Sequence, residues 1–279
     1  MLNTIQHIKA EDLLASIPDN SIDLIYTDPP YNISCKTKIF RDYRSCKRGD
    51  ISFDFSSWDY GSFQPEMLAK EAARVLVDMG SLIVWCSEQQ YGEYRKFIVD
   101  MKKGRQIIIN MIKSIIKAYS PVDLACQSLI KQEKDYLMVK NMLCWIKTNP
   151  LPMFRLNGYR QSFEVMQWSI KGTNKKSNPN FLFGEQKDMV NYFRCPIVAG
   201  KSRLKVNGKS HPTQKPLSIC EKIIKTHCRV GGVVLDPFAG TGTIPYAALE
   251  TGRNFIAGDF DKEWVDAANE RIKEVQLTF

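Results

Sequence analysis

The chain has 279 residues, 44% hydrophobic and 11% aromatic, which is enough apolar material for a large packed core and too much for a chain disordered throughout. Its 39 Lys and Arg against 30 Asp and Glu give a net charge of +9, a balance that suits a polyanionic partner without separating DNA from RNA or an anionic membrane. No apolar run is long enough to span a bilayer, since the greasiest stretch, residues 107–116, is broken by Asn110 and Lys113.

The opening MLNTIQHIKAEDLL lacks the tripartite order of an export signal, so a soluble cytoplasmic protein is expected. Residues 22–27 (IDLIYT) form a nearly unbroken apolar run after the turn-prone Pro18-Asp19-Asn20-Ser21, the pattern of a buried parallel strand. That run ends at Asp28-Pro29-Pro30-Tyr31. Residues 32–59 are polar, basic and without periodicity, as in a long functional loop. Over 65–78 apolar residues recur at helical spacing with acids early; Met79-Gly80 closes the helix and 81–86 reads as a second buried strand. This βαβ rhythm predicts an α/β fold with a mostly parallel sheet.

Residues 104–140 read as a Lys-sprinkled helical lobe or insertion. Two strands, 142–148 and 162–170, are joined by the Pro-rich segment 149–160 and fit an antiparallel hairpin. Residues 171–209 are polar and show no periodicity. A helix over 216–228, with Pro near its start, precedes a strand at 232–235, a helix at 244–250, a strand at 254–257 and a last helix from Lys262. Eight cysteines include no C-x-x-C pair, which indicates reduced thiols rather than a disulfide frame or zinc site. His227 beside Cys228 lacks two further ligands at metal spacing and is read as a helix surface.

Three segments carry chemistry. Asp236-Pro237-Phe238-Ala239-Gly240-Thr241-Gly242-Thr243 closes one strand and opens a helix; its glycines allow close backbone approach to a ligand, and Asp259, after the next strand, is spaced to bond ribose hydroxyls. In Asp28-Pro29-Pro30-Tyr31 the prolines remove amide donors and leave carbonyls and one carboxylate as fixed acceptors beside an aromatic face, a site for a planar group bearing N–H₂. His211-Pro212-Thr213-Gln214-Lys215-Pro216 places a cation and polar side chains before a helix N-terminus, suited to a carboxylate.

Taken in this order, the three segments resemble the amino-group DNA methyltransferases of the β class, in which D-P-P-Y comes first, then the target-recognition region, then H-P-T-Q-K-P, then D-P-F-x-G-x-G. The resemblance extends to Glu71-x-x-Arg74-Val75-Leu76, the strand 81–85, Trp145-Ile146-Lys147-Thr148-Asn149-Pro150 and the strand end at 255–259, covering most of the chain outside 104–141. It implies a Rossmann-like S-adenosylmethionine-dependent methyltransferase fold, circularly permuted with the catalytic half first, the sheet mostly parallel with an antiparallel hairpin. The implied division is a catalytic half over 1–103, a helical insertion over 104–141, antiparallel strands over 142–170, a target-recognition region over 171–209 and a cofactor half over 210–279.

The implied cofactor is S-adenosyl-L-methionine, with no metal. Asp236, Phe238, Gly240, Gly242 and Thr243 would form its pocket, Asp259 would hold its ribose, Thr213, Gln214 and Lys215 its methionine end, and Asp28 would lie close to both cofactor and substrate. Asp28, Pro29, Pro30 and Tyr31 are the implied catalytic residues, acting on a base flipped out of double-stranded DNA. Asp rather than Ser at position 28 implies N6 of adenine; N4 of cytosine, a catalytically silent nucleic-acid-binding homologue and an RNA substrate are the alternatives. The family often carries Gly-Asp after its first strand, the Asp touching the target amine, where this chain has Ile8-Lys9-Ala10-Glu11-Asp12; either Glu11 serves in a shifted register or the contact is missing. A homodimer and a nucleoid-associated location are expected, with a cognate restriction endonuclease left open.

The charge is uneven. Residues 36–48 hold six Lys/Arg and one Asp and residues 171–209 hold nine Lys/Arg and two acids, which leaves the remainder at −3. Two basic segments flanking the implied target pocket read as a phosphate-binding footprint. Tyr43, Phe53, Phe55 and Trp58 in the first, and Tyr192 and Phe193 in the second, are candidates to stack on bases or to anchor the loops.

Overall fold

In the computed structural model, which describes residues 2–31, 37–39, 51–53, 64–118, 136–152, 158–172, 180–211 and 213–276, the apolar runs become the inner strands of an eight-stranded sheet. The first part of the chain forms β1 (Ile5–His7), α1 (Ala10–Ser16), β2 (Ile22–Thr27), a small antiparallel pair β3 (Thr37–Ile39) and β4 (Ile51–Phe53), α2 (Pro65–Val75), β5 (Leu76–Cys86) and α3 (Glu88–Ala118). Then come β6 (Leu137–Lys147), β7 (Phe163–Lys171), β8 (Tyr192–Cys195), the short pair β9 (Lys205–Val206) and β10 (Lys209–Ser210), α4 (Leu217–His227), β11 (Val233–Asp236), α5 (Thr243–Glu250), β12 (Asn254–Asp259) and α6 (Lys262–Gln276).

The sheet order is β1-β12-β11-β2-β5-β7-β6-β8. Its strands are parallel from β1 to β5, while β7 runs antiparallel to both β5 and β6. The expected hairpin is therefore present, inside a largely parallel Rossmann-like sheet. Side-chain alternation divides the core between the two faces. Leu24, Tyr26, Ile83 and Trp85 pack with α4, α5 and α6 on one face; Ile25, Leu82 and Val84 pack with α1, α2 and α3 on the other. Arg74 of α2 clamps this second layer, donating to Ile17 O at 2.7 Å, Leu14 O at 2.8 Å and Glu71 Oε2 at 2.6 Å, so the Glu71-x-x-Arg74 segment is structural.

Several expectations are corrected. The second helix stops at Val75 and β5 begins at Leu76, because Leu76 pairs with Ile22 and sheet pairing overrides the helical spacing. Of the segment 104–140, residues 104–118 are helical but continue a helix that begins earlier, and 119–135 lie outside the described residues. That helix, α3, starts at Glu88, buries Tyr94 and Ile98 against the core and runs on without a break past residue 103, while residues 137–140 already belong to β6. The region 171–209 is not all loop, since Tyr192–Cys195 adds β8 at the sheet edge, parallel to β6. His227 does not lie on a helix surface; it is buried between Trp168 and Phe181. Tyr43, Phe55, Trp58 and most of 36–48 lie outside the described residues, as does the Phe53 side chain. Among the described residues, no helix is long and apolar enough to cross a membrane.

Candidate active site

Neighbouring parallel strands deliver two carboxyl groups to one edge of the sheet: Asp28 follows the last residue of β2, and Asp236 ends β11. From here β2 leads to β5 on one side and β11 to β12 on the other, and such a switch point is where open α/β sheets bind ligands. Thr27 Oγ1 donates to Asp236 Oδ1 at 2.6 Å and Phe238 N donates to the same oxygen at 3.2 Å. Desolvation nonetheless raises the Asp236 pKa to about 8.

The turn after β11 needs glycine. Gly240 and Gly242 have φ of +47° and +68°, and Gly242 caps α5, where a Cβ would stand 2.9 Å from Ala268 Cβ. Asp259, ending β12, accepts from Gly240 N at 2.8 Å and from Asp261 N at 3.0 Å, fixing the turn against the neighbouring strand. Burial raises the Asp259 pKa despite those bonds.

A single cleft of ≈ 980 Å³, counting its open mouth, joins these parts. Asp28, Pro29, Pro30, Tyr31, Thr213, Gln214, Lys215, Asp236, Phe238, Gly240, Thr243 and Asp259 all line it. Gly242 does not, and serves the turn and its packing on α6. Glu11 is exposed on α1 and is not among the lining residues. His211, Phe260 and Trp264 also line the cleft. The His211 ring meets Trp264 edge-on at 4.8 Å, and desolvation, with Lys215 and Arg203 nearby, lowers its pKa to about 4. Thr213 N donates to its Nδ1 at 3.3 Å, which leaves the proton of the neutral ring on Nε2. Gln214 Oε1 accepts from Leu204 N at 2.8 Å. The donor set suits a nucleoside-bearing cation: a carboxylate at one end for a diol, aromatic and imidazole walls between, and a second carboxylate at the other end.

Around Asp28 the chain assembles more than its contiguous motif announces. Tyr31 Oη donates to Asp28 Oδ1 at 2.9 Å, and Gln90 of α3 donates to Pro30 O at 2.9 Å, which stiffens the loop. The Lys215 ammonium is 2.8 Å from Asp28 Oδ2 and 3.1 Å from Glu164 Oε2, over the rings of Trp85 and Tyr31. It thus serves the loop carboxylate rather than only the far end of the cleft. Glu164 and its second cation, Lys147, were not singled out from the sequence; Lys147 carried a signal only as part of the Trp145-to-Pro150 segment.

The profile of the N6/N4 DNA methylases, described as DNA methylase, matches residues 22–270. The chain is 30% identical over 289 aligned residues to the type II methyltransferase M.HinfI of Haemophilus influenzae, covering 99% of this chain and 69% of that protein. It is 27% identical to the type II methyltransferase M2.MboI of Moraxella bovis, covering 95% and 85%. Among solved structures, M1.HpyAVI superposes with a TM-score of 0.58 at 22% identity, covering 96% of this chain and 98% of that one. PvuII DNA methyltransferase, cytosine-N4-specific, superposes at 0.56 and 17%, covering 98% and 92%. The match runs from β2, which presents Asp28, into α6, which backs the glycine turn, and on that extent the chain belongs to the N6/N4 DNA methylases, the S-adenosylmethionine-dependent amino-group DNA methyltransferases.

Proposed function

We propose that the protein transfers a methyl group to the exocyclic N6 of an adenine flipped out of double-stranded DNA. One observation carries this reading: Asp28, Pro29, Pro30 and Tyr31 share a single cleft with the Gly240 turn and Asp259. Acceptors for an amine thereby face the pocket of a methyl donor. Asp259 is suited to the ribose diol, Phe238, Phe260 and Trp264 to the adenine moiety, and Thr213 and Gln214 to the methionine end, while Asp236 and Thr243 shape the turn. When bound, S-adenosyl-L-methionine supplies an electrophilic methyl group on a cationic sulfur.

An exocyclic amine conjugated with its ring is a poor nucleophile. The Asp28 carboxylate and the Pro29 carbonyl accept its two N–H bonds, draw the nitrogen toward tetrahedral geometry and turn the lone pair toward the methyl group, and the Asp28 carboxylate is placed to take the proton that the methylated nitrogen gives up. Positioning and fixed charge then supply most of the acceleration. Asp28 has to be ionised for this. Burial raises its pKa, and Lys215 is the cation that opposes the rise. Because the amine lies within the duplex stack, the base has to leave it, and the Tyr31 ring offers a stacking face. Asp at the head of the loop favours adenine by resemblance to the family, and target recognition is assigned to 171–209, where the cations concentrate.

The test is to incubate the protein with labelled S-adenosyl-L-methionine and mixed-sequence duplex DNA and to identify the labelled base. Label is expected in N6-methyladenine, and Asp28→Ala should lower the rate at least ~10²-fold, the scale for removing one hydrogen bond to the transition state. Label in N4-methylcytosine would replace adenine by cytosine. Undiminished transfer by Asp28→Ala would overturn the mechanism.

A further inference from the structure

Lys215, Glu164 and Lys147 extend the Asp28 site into a chain of alternating charge, with Lys215 buried and the other three groups half-buried. Lys215 Nζ, with its side chain 6% exposed, stands 2.8 Å from Asp28 Oδ2 and 3.1 Å from Glu164 Oε2; Lys147 Nζ stands 2.8 Å from Glu164 Oε1. The sum over the four groups is neutral. Lys215 has three donors, and the third reaches Tyr31 Oη at 3.4 Å. Glu164 Oε2 is buried with no further hydrogen-bond partner among the described residues. It projects from β7 on the same face as Met166, toward the layer of Trp85 and Trp145, where an apolar side chain would serve packing as well or better.

From this geometry we infer that Glu164 is a positioning residue, which with Lys147 divides the Lys215 charge so that Asp28, paired with Lys215, remains a strong acceptor for the target amine. The inference rests on the proposed amine methylation. With Lys215 on Asp28 alone, the carboxylate would be neutralised by its partner and would bind the amine weakly. With Glu164 sharing the ammonium, Asp28 keeps part of its negative potential. Lys147 in turn keeps Glu164 from drawing Lys215 away. Against desolvation, Lys215 and Lys147 hold Glu164 below its ordinary pKa, and Asp28 and Glu164 hold Lys215 above its own. Glu164 acts on Asp28 in the opposite sense to Lys215, raising it. Other titratable groups that face Asp28 include Tyr31, Tyr26 of β2, Cys86 of β5, Cys220 of α4 and Asp236 of β11.

The test titrates Asp28 itself, by carboxyl ¹³C resonance in the full-length protein labelled at Asp, with Asp28→Asn identifying the signal. Glu164→Gln should lower the Asp28 midpoint by about half a pH unit or more, while Lys147→Met should raise it; Lys147→Arg should restore the wild-type value. In single-turnover methylation Glu164→Gln should cut the rate roughly tenfold and move the acid limb to lower pH, with S-adenosyl-L-methionine affinity within about twofold of wild type. Midpoints that stay put, or move the same way in both variants, overturn the inference, as does a Glu164→Gln defect confined to melting temperature or cofactor affinity. A wild-type protein that methylates neither base would refute the proposed function, and the Asp28 titration would still decide the role of Glu164.

Discussion

His211 and His227 are neutral because burial makes their imidazolium forms costly: desolvation brings the first to a pKa of about 4 and the second to about 3. In the unfolded chain both titrate near 6.5. As pH falls below that value the unfolded state takes up protons that the folded state refuses, so stability falls between about pH 6.5 and 4. The loss is on the order of 1.4 kcal/mol per pH unit for each ring. Asp236, raised by burial to about 8, acts in the opposite sense across that whole range, and Asp28, also raised by burial, acts in the same sense as Asp236. The comparison that isolates one histidine is therefore wild type against His227→Phe in urea denaturation at pH 7 and pH 5. The variant should lose less stability on acidification, by about 2 kcal/mol; equal losses would show that His227 takes up its proton as readily in the folded state as in the unfolded chain. At this scale the contiguous groups were legible in the sequence, because Asp28-Pro29-Pro30-Tyr31 holds its acceptors in one rigid run. Glu164 was not, since SFEVMQWSI reads as an ordinary strand and only the sheet brings its carboxylate to Lys215.

At the scale of elements, the cap of α5 shows how packing fixes a turn that lines the cleft. Gly242 combines a φ of +68° with a Cβ position 2.9 Å from Ala268 Cβ and 3.0 Å from Ile5 Cδ1. Gly231 has a similar φ of +73°, but nothing lies within 4 Å of its Cβ position. Gly231→Ala should therefore cost only the backbone penalty, roughly 1–2 kcal/mol, and leave cofactor binding intact. Gly242→Ala should cost more than that and also weaken S-adenosyl-L-methionine binding, because relieving the clash shifts the turn that carries Phe238 and Gly240. Thermal unfolding and calorimetric titration of the pair check this, and equal effects would mean that α5 relaxes freely. The inner strands β2, β11 and β12 were legible because strands covered on both faces are continuous apolar runs. The edge was not: β8 alternates exposed and half-buried residues over only four positions, and the first half of β6 carries Lys140 and Asn141.

For the whole molecule, the net charge of +9 becomes informative only once its cations are sorted by what they touch. Lys171, counted within the basic segment 171–209, is buried, and its Nζ donates to Asn20 Oδ1 at 2.7 Å and Arg74 O at 3.1 Å, so it holds β7 to the α2 layer and cannot bind phosphate. Arg194 and Lys205 are exposed in the same segment. Removing a cation that neutralises one phosphate should reduce the slope of log affinity against log salt by about 0.9. Arg194→Gln with Lys205→Gln should therefore flatten the salt dependence of DNA binding by about one to two and weaken binding alike across sequences, leaving S-adenosyl-L-methionine affinity unchanged. Lys225→Gln, exposed on α4 outside the segment and paired only at 3.8 Å with Glu221, is the control that should move neither quantity. A slope that does not change in the double variant, or one that changes equally in the control, would mean that the excess charge solubilises the protein rather than tracking the DNA backbone, and that the specificity of the cleft has to draw its duplex from cations elsewhere on the chain.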